Sequence, residues 1–163
     1  MEGIDLMAGQ HTEHAFETAI EKHLTALGGY ASGDAKAYDA ERALFPQEVL
    51  AFVKATQERE WAYLENLQKD KAEETLLDDL CRALNSEHEG CLSVLRHGFK
   101  CFGKLFRMAY FAPASGMNPD TQRLYAANRL SIARQVHYTN RNDNSVDVTL
   151  ALNGIPVATA ELK

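Results

Sequence analysis

The chain has 163 residues, 45% hydrophobic and 25% charged, with a formal net charge of -6, the profile of a single soluble domain large enough to bury a core. No run approaches the roughly 18 apolar residues of a membrane span, and the acidic start M-E-G-I-D-L is unlike a signal peptide, so a cytoplasmic protein is expected. Cys81, Cys91 and Cys101 form no C-x-x-C pair, which argues against a disulfide framework or a Cys-type zinc site and reads as buried free thiols.

Thr12 to Leu27 spaces Ala15, Phe16, Ala19, Ile20, Leu24 and Leu27 as a helix does, and Gly28-Gly29 ends it. Tyr30 to Tyr38 reads as a loop. Pro46 opens a second helix, running to about Thr56 through Val49, Leu50, Phe52 and Val53. Trp61 to Leu84 is rich in Leu, Ala, Glu and Lys, which predicts one or two further helices. From Gly90 the pattern changes. Cys91–Leu95 and Lys104–Phe111 read as short strands, and 119–127 as a short helix. Leu130, Ile132, Ala133, Val136 and Tyr138 mark a strand within 129–139. N-R-N-D-N-S at 140–145 is a turn, and a closing hairpin turns at Asn153-Gly154. The expected fold class is α+β: one domain over 1–163, helical over about 11–88, then a mostly antiparallel, mixed sheet over about 90–163.

Charge is uneven along the chain. Residues 1–90 hold 8 Lys+Arg against 19 Asp+Glu, and residues 91–163 hold 9 against 4. A basic half can serve a phosphate backbone, and solvated surface charge explains it equally well.

The closing hairpin carries Asp147, Glu161 and Lys163. Two carboxylates at a sheet edge suit a hard, oxygen-seeking cation such as Mg2+, with the Leu162 carbonyl as a further oxygen. Such a cation activates water against a phosphoryl group, and a neighbouring ammonium balances the charge that develops. Glu161 and Lys163 are two apart on a strand and share a face, which leaves Leu162 toward the core. The competing reading is a hairpin end with solvated charges. A strict two-residue turn pairs Leu152 with Ile155 and sends Asp147 and Glu161 to opposite faces. The site therefore requires a register offset, supplied by a three-residue connection with Gly154 in the left-handed region and a bulge, or by an equivalent irregularity. Pro156, which has no N–H for a ladder, favours one.

An ordered set of short motifs spans nearly the whole chain. It comprises T-E-H-A-F-E at 12–17, L-G-G-Y at 27–30, A-L-F-P at 43–46, T-Q-x-x-E-W at 56–61, G-x-L-x-V-L-R-H-G at 90–98, L-Y-x-x-N at 124–128, R-Q-V-x-Y at 134–138, N-S-V-D at 144–147 and, most specific, N-G-I-P-V-A-T-A-E-L-K at 153–163. In this order they resemble the N-terminal nuclease region of the restriction (motor) subunit of type I restriction-modification enzymes. The resemblance implies a PD-(D/E)-x-K nuclease core that cleaves double-stranded DNA with Mg2+. It makes Asp147 and Glu161 the metal ligands and Lys163 the catalytic lysine, although Val146 stands where the motif has proline. Partner methylation and specificity subunits are implied, the latter reading the DNA site. Glu17 is placed like a helical acid that related nucleases aim at the metal, with a solvated helix face as the alternative. Gln135 could face the DNA or the active site, with an ordinary polar strand residue as the alternative. His11, His14 and His23 read as exposed helix residues, and Trp61 with Tyr63 as core. No G-x-x-x-x-G-K-[ST] is present, so ATP belongs to the family's longer subunit, of which this chain is expected to be a truncated copy. A stand-alone repair or junction nuclease and a non-catalytic remnant that binds partner subunits are the competing functions.

Overall fold

The computed structural model describes the backbone of residues 3–162 and the side chains of residues 12–162. Helix α1 spans Gly3–Leu27 and strand β1 Tyr30–Ser32. Three helices follow: α2 Pro46–Thr56, α3 Glu58–Gln68 and α4 Ala72–Leu84. Then come α5 Gly90–His97, β2 Phe99–Cys101, β3 Lys104–Phe106 and α6 Pro119–Ala126. Strands β4 Leu130–His137, β5 Ser145–Leu152 and β6 Ile155–Ala160 close the chain.

Local chemistry sets these boundaries. Pro46 occupies the first turn of α2, where its missing N–H costs nothing. Glu73 and Glu74 open α4 and Arg82 closes it, both in the sense that the helix dipole favours. Asn118 caps α6 by accepting from the Asp120 N–H at 3.0 Å.

The four-stranded sheet has the order β1-β4-β5-β6. β1 runs parallel to β4, and the other pairs are antiparallel. β2 and β3 form a separate hairpin. The main core lies in the helical layer. Val49, Leu50, Phe52 and Val53 of α2 pack with Trp61 and Leu64 of α3, with Leu76, Leu77 and Leu80 of α4, and with Val94, Phe99 and Phe106. A smaller cluster of Phe45, Ala133, Val136 and Ala151 packs the residue that precedes α2 against the sheet.

The arrangement is the expected mixture of helices and a mixed sheet, with several local corrections. Residues 91–95 lie in α5, not in a strand; only Val94 of that helix is fully buried, and so short an apolar run does not separate the two periods. Tyr30 to Tyr38 is not all loop, because Tyr30–Ser32 pairs with Leu130, Ser131 and Ile132 about a hundred residues away. The second strand ends at Phe106, short of Phe111. Helix α1 does not bury the apolar side chains that mark it: Phe16 is 55% and Leu27 78% exposed, while Glu17 is buried. Among the thiols only Cys101 is buried, Cys81 is half-buried and Cys91 is exposed. Burial and the neighbouring Asp79 carboxylate push the Cys101 thiol up to about 12. Trp61 belongs to the core, but Tyr63 is 43% exposed.

Candidate active site

The closing hairpin decides which charges meet. Asn153 and Gly154 both have positive φ, 51° and 85°, the requirement of a tight two-residue turn, and Leu152 pairs with Ile155. The turn itself is therefore regular, without the three-residue connection expected of it. The offset comes two residues later. Ala151 pairs with Pro156, but Leu150 pairs with Ala158, so Val157 is an extra residue on β6. Beyond it the register is even, through Thr149 with Thr159 and Val148 with Ala160. Ala160 is the last paired residue of β6, and the same register continued by one residue would set Glu161 opposite Asp147. Asp147 is held there, since its Oδ2 accepts from the Leu162 N–H at 2.6 Å. The carboxylate of β5 thus sits against the backbone that follows β6. Leu162 is half-buried and Glu161 exposed.

Strand β4 contributes the other wall. Gln135 has φ 54° in mid-strand, a left-handed conformation that costs a non-glycine residue of order 1–3 kcal/mol and tends to mark functional sites. Successive side chains of a regular strand point to opposite faces. Here Arg134 and Gln135 both reach Glu17 on α1. Arg134 Nε donates to Glu17 Oε2 at 3.1 Å, and Gln135 Nε2 to Glu17 Oε1 at 2.7 Å. Gln135 Nε2 also donates to Asp147 Oδ1 at 3.1 Å, and its Oε1 accepts from Ser145 Oγ at 2.7 Å. One carboxamide therefore ties helix α1 to strand β5 across β4.

The electrostatics follow from burial. Glu17 retains 3% of its surface, and a carboxylate that deep requires a cation or several donors. Arg134 supplies the cation and shares it with Glu21, 3.1 Å away. The Ser32 hydroxyl holds the Glu21 carboxyl below its ordinary value; burial opposes this, and Arg134 adds to it. Burial acts to lower the Arg134 guanidinium, but Glu21 and Glu17 outweigh it and raise the group. His14 Nδ1 lies 3.0 Å from Arg134 Nη2. One guanidinium thus faces Glu17, Glu21 and, through Gln135, Asp147, so the cluster carries surplus negative charge.

The candidate donors are carboxylate oxygens, those of Asp147 and Glu17 on either side of the Gln135 amide and that of Glu161 at the end of β6. That set fits Mg2+ or Mn2+ and does not fit a soft metal. Among the described residues, no three Asp, Glu, His or Cys side chains close into a ready cage, and between Glu17 and Asp147 stands the Gln135 amide. Lys163 lies outside the described residues. Glu13 and His23 are exposed, and the side chain of His11 is outside the described set.

The basic C-terminal half is partly spent on internal pairs. Besides Arg134, Arg129 lies 3.9 Å from Glu48 and Arg123 3.9 Å from Asp120. No helix among the described residues is long and apolar enough to cross a membrane.

The family model for the N terminus of the type I restriction enzyme R protein matches residues 8–163. The chain belongs to that family. No curated protein and no solved structure matches it. Membership in the R-protein N-terminal family accounts for the ordered motifs, and two residues now stand out within them. Arg134 and Ser145 were not singled out by sequence reasoning, although the motifs R-Q-V-x-Y and N-S-V-D contain them. The alternation of β4 placed Arg134 among polar strand positions, and nothing in a strand pattern reports a left-handed residue beside it.

Proposed function

We propose that the chain is the nuclease part of a type I restriction subunit and hydrolyses phosphodiester bonds of double-stranded DNA with Mg2+. The observation that carries this reading is the Val157 bulge. It puts Val148 and Ala160 in an even register that, continued by one residue, would bring Glu161 opposite Asp147, and the Leu162 N–H lies on the Asp147 carboxylate. Asp147 and Glu161 would hold the ion, and Glu17 stands one carboxamide away on the same cluster. A bound Mg2+ supplies a water of lowered pKa and charge for the phosphoryl oxygens.

The chain's own groups do the remainder. Asp147 is oriented by the Leu162 N–H, so one carboxylate oxygen is committed and the other faces Gln135. Glu161, exposed at the strand end, is open to a DNA backbone. Lys163, two residues beyond Glu161 in sequence, would orient the attacking water and balance charge on the phosphate. Recognition of the DNA sequence belongs to a partner specificity subunit, and methylation to another.

Cleavage of plasmid DNA with Mg2+, by the chain alone and with its methylation and specificity partners, tests the reading. Asp147→Asn, Glu161→Gln and Lys163→Ala are each expected to lose about a hundredfold or more in rate while remaining folded. Cleavage that persists in all three variants, or a folded wild type with no Mg2+-dependent cutting in any of these mixtures, overturns it.

A further inference from the structure

Gln135 is unusual in three respects at once. Its backbone is left-handed within a strand. Its two amide hydrogens are divided between carboxylates of different elements, Glu17 and Asp147. Its carbonyl is occupied by Ser145. The carboxamide has only this orientation available: turned over, its oxygen would face two carboxylates, which offer it no donor. Two like charges are thereby held beside one nitrogen. This is the relation that a divalent cation imposes on two carboxylates, and here an N–H2 group with partial positive charge provides it.

We propose that Gln135 is a positioning residue that holds Glu17 and Asp147 together and yields its place to the divalent cation. The inference rests on the nuclease reading of Asp147. Mg2+ binds oxygens at about 2.0–2.1 Å, closer than any amide hydrogen bond allows. N–H2 and a cation therefore cannot share the space between Glu17 Oε1 and Asp147 Oδ1. Gln135 is solvent-exposed, so its carboxamide has room to swing outward when the cation enters. Arg134 remains on the far oxygen of Glu17 throughout and keeps that carboxylate aimed at the site. The left-handed backbone makes both contacts possible from consecutive residues. Entry of the ion thus costs the two hydrogen bonds that Gln135 makes to carboxylates, and the network sets metal affinity below what the carboxylates alone would give.

Calorimetric titration of the full chain with Mn2+ measures this directly. Gln135→Met keeps the side-chain volume and removes the donors. The variant is expected to bind Mn2+ at least tenfold more tightly than wild type, since each of the two displaced charge-assisted hydrogen bonds is worth about tenfold or more, and Asp147→Asn is expected to abolish binding in both backgrounds. Equal or weaker binding by Gln135→Met, with Asp147-dependent binding intact, overturns the proposal and leaves the nuclease reading standing. Absence of Asp147-dependent binding in both proteins removes that reading and this one with it. A second measurement needs no variant. Adding Mg2+ to wild type is expected to move the Gln135 side-chain amide resonances toward those of a solvated carboxamide, and resonances unmoved at saturating Mg2+ overturn the exchange.

Discussion

Burying a carboxylate as deeply as Glu17 costs several kcal/mol unless it is paired, and Arg134 is the charge that pairs it. Among the described residues, removing that guanidinium leaves Glu17 with the Gln135 amide as its side-chain partner. Arg134→Ala is therefore expected to cost about 3 kcal/mol of unfolding free energy, measured by urea denaturation. The double variant Glu17→Gln, Arg134→Ala is expected to recover much of it, because no buried charge is then stranded. A double variant no more stable than Arg134→Ala would show that the pair is not the source of the loss. Glu13 and Glu17 share a helix face by i, i+4 spacing, which in sequence reads as one acid-bearing face. The structure separates them, with Glu13 exposed and Glu17 buried. A single sequence gives no sign of this, because what buries Glu17 is a side chain 117 residues away. The hairpin that carries Asp147 was legible by contrast, since its two strands are adjacent in sequence, although the offset within it comes from Val157 and not from the turn.

At the scale of elements, the closing hairpin shows both how far a sequence carries and where it stops. Asn153-Gly154 announces a turn and Pro156 an irregularity, and both are present. The irregularity sits at Val157, not in the turn, because the turn is fixed from outside. Asn153 Oδ1 accepts from the Arg129 N–H at 2.7 Å, and its Nδ2 donates to the Met108 carbonyl at 2.9 Å. With the turn pinned to two residues, the offset can occur only further along β6. The three-residue strand β1 and helix α5 were not legible for a related reason: each is too short to display a period and owes its form to partners distant in sequence. The register beyond the bulge is open to test. Inserting one alanine between Ala160 and Glu161 should carry Glu161 one position past Asp147 and turn it to the other face. The expected result is unchanged far-UV circular dichroism with loss of Asp147-dependent Mn2+ binding and of Mg2+-dependent cleavage. Retention of both would mean that register does not build the site.

At the scale of the whole molecule, the sheet and the helical layer are joined at the turn of that hairpin. Gly154 O accepts from the Phe45 N–H at 2.9 Å. A Cβ at Gly154 would lie 2.7 Å from Phe45 O, Val49 Cγ2 and Val49 N, at φ +85°. The chain approaches α2 as closely as a backbone without a side chain permits. Asp147 lies seven residues before Gly154 in sequence, about 20 Å along an extended strand, so the end that is clamped and the end that carries the site are well separated. Gly154→Ala adds left-handed strain of about 1–2 kcal/mol to an overlap of about 1–3 kcal/mol, for an expected loss near 3 kcal/mol. Trp61, the single tryptophan, sits in α3 within the helical core and so reports on the layer that the turn docks against. If the two layers unfold as one unit, its fluorescence midpoint in urea should fall together with the circular dichroism signal, and the exposure of Cys101 to a thiol reagent should rise with both. A Trp61 transition that stays at the wild-type midpoint while the sheet signal is lost early would show that the helical layer stands without the hairpin. The clamp would then serve to aim the site and would contribute little to holding the domain together.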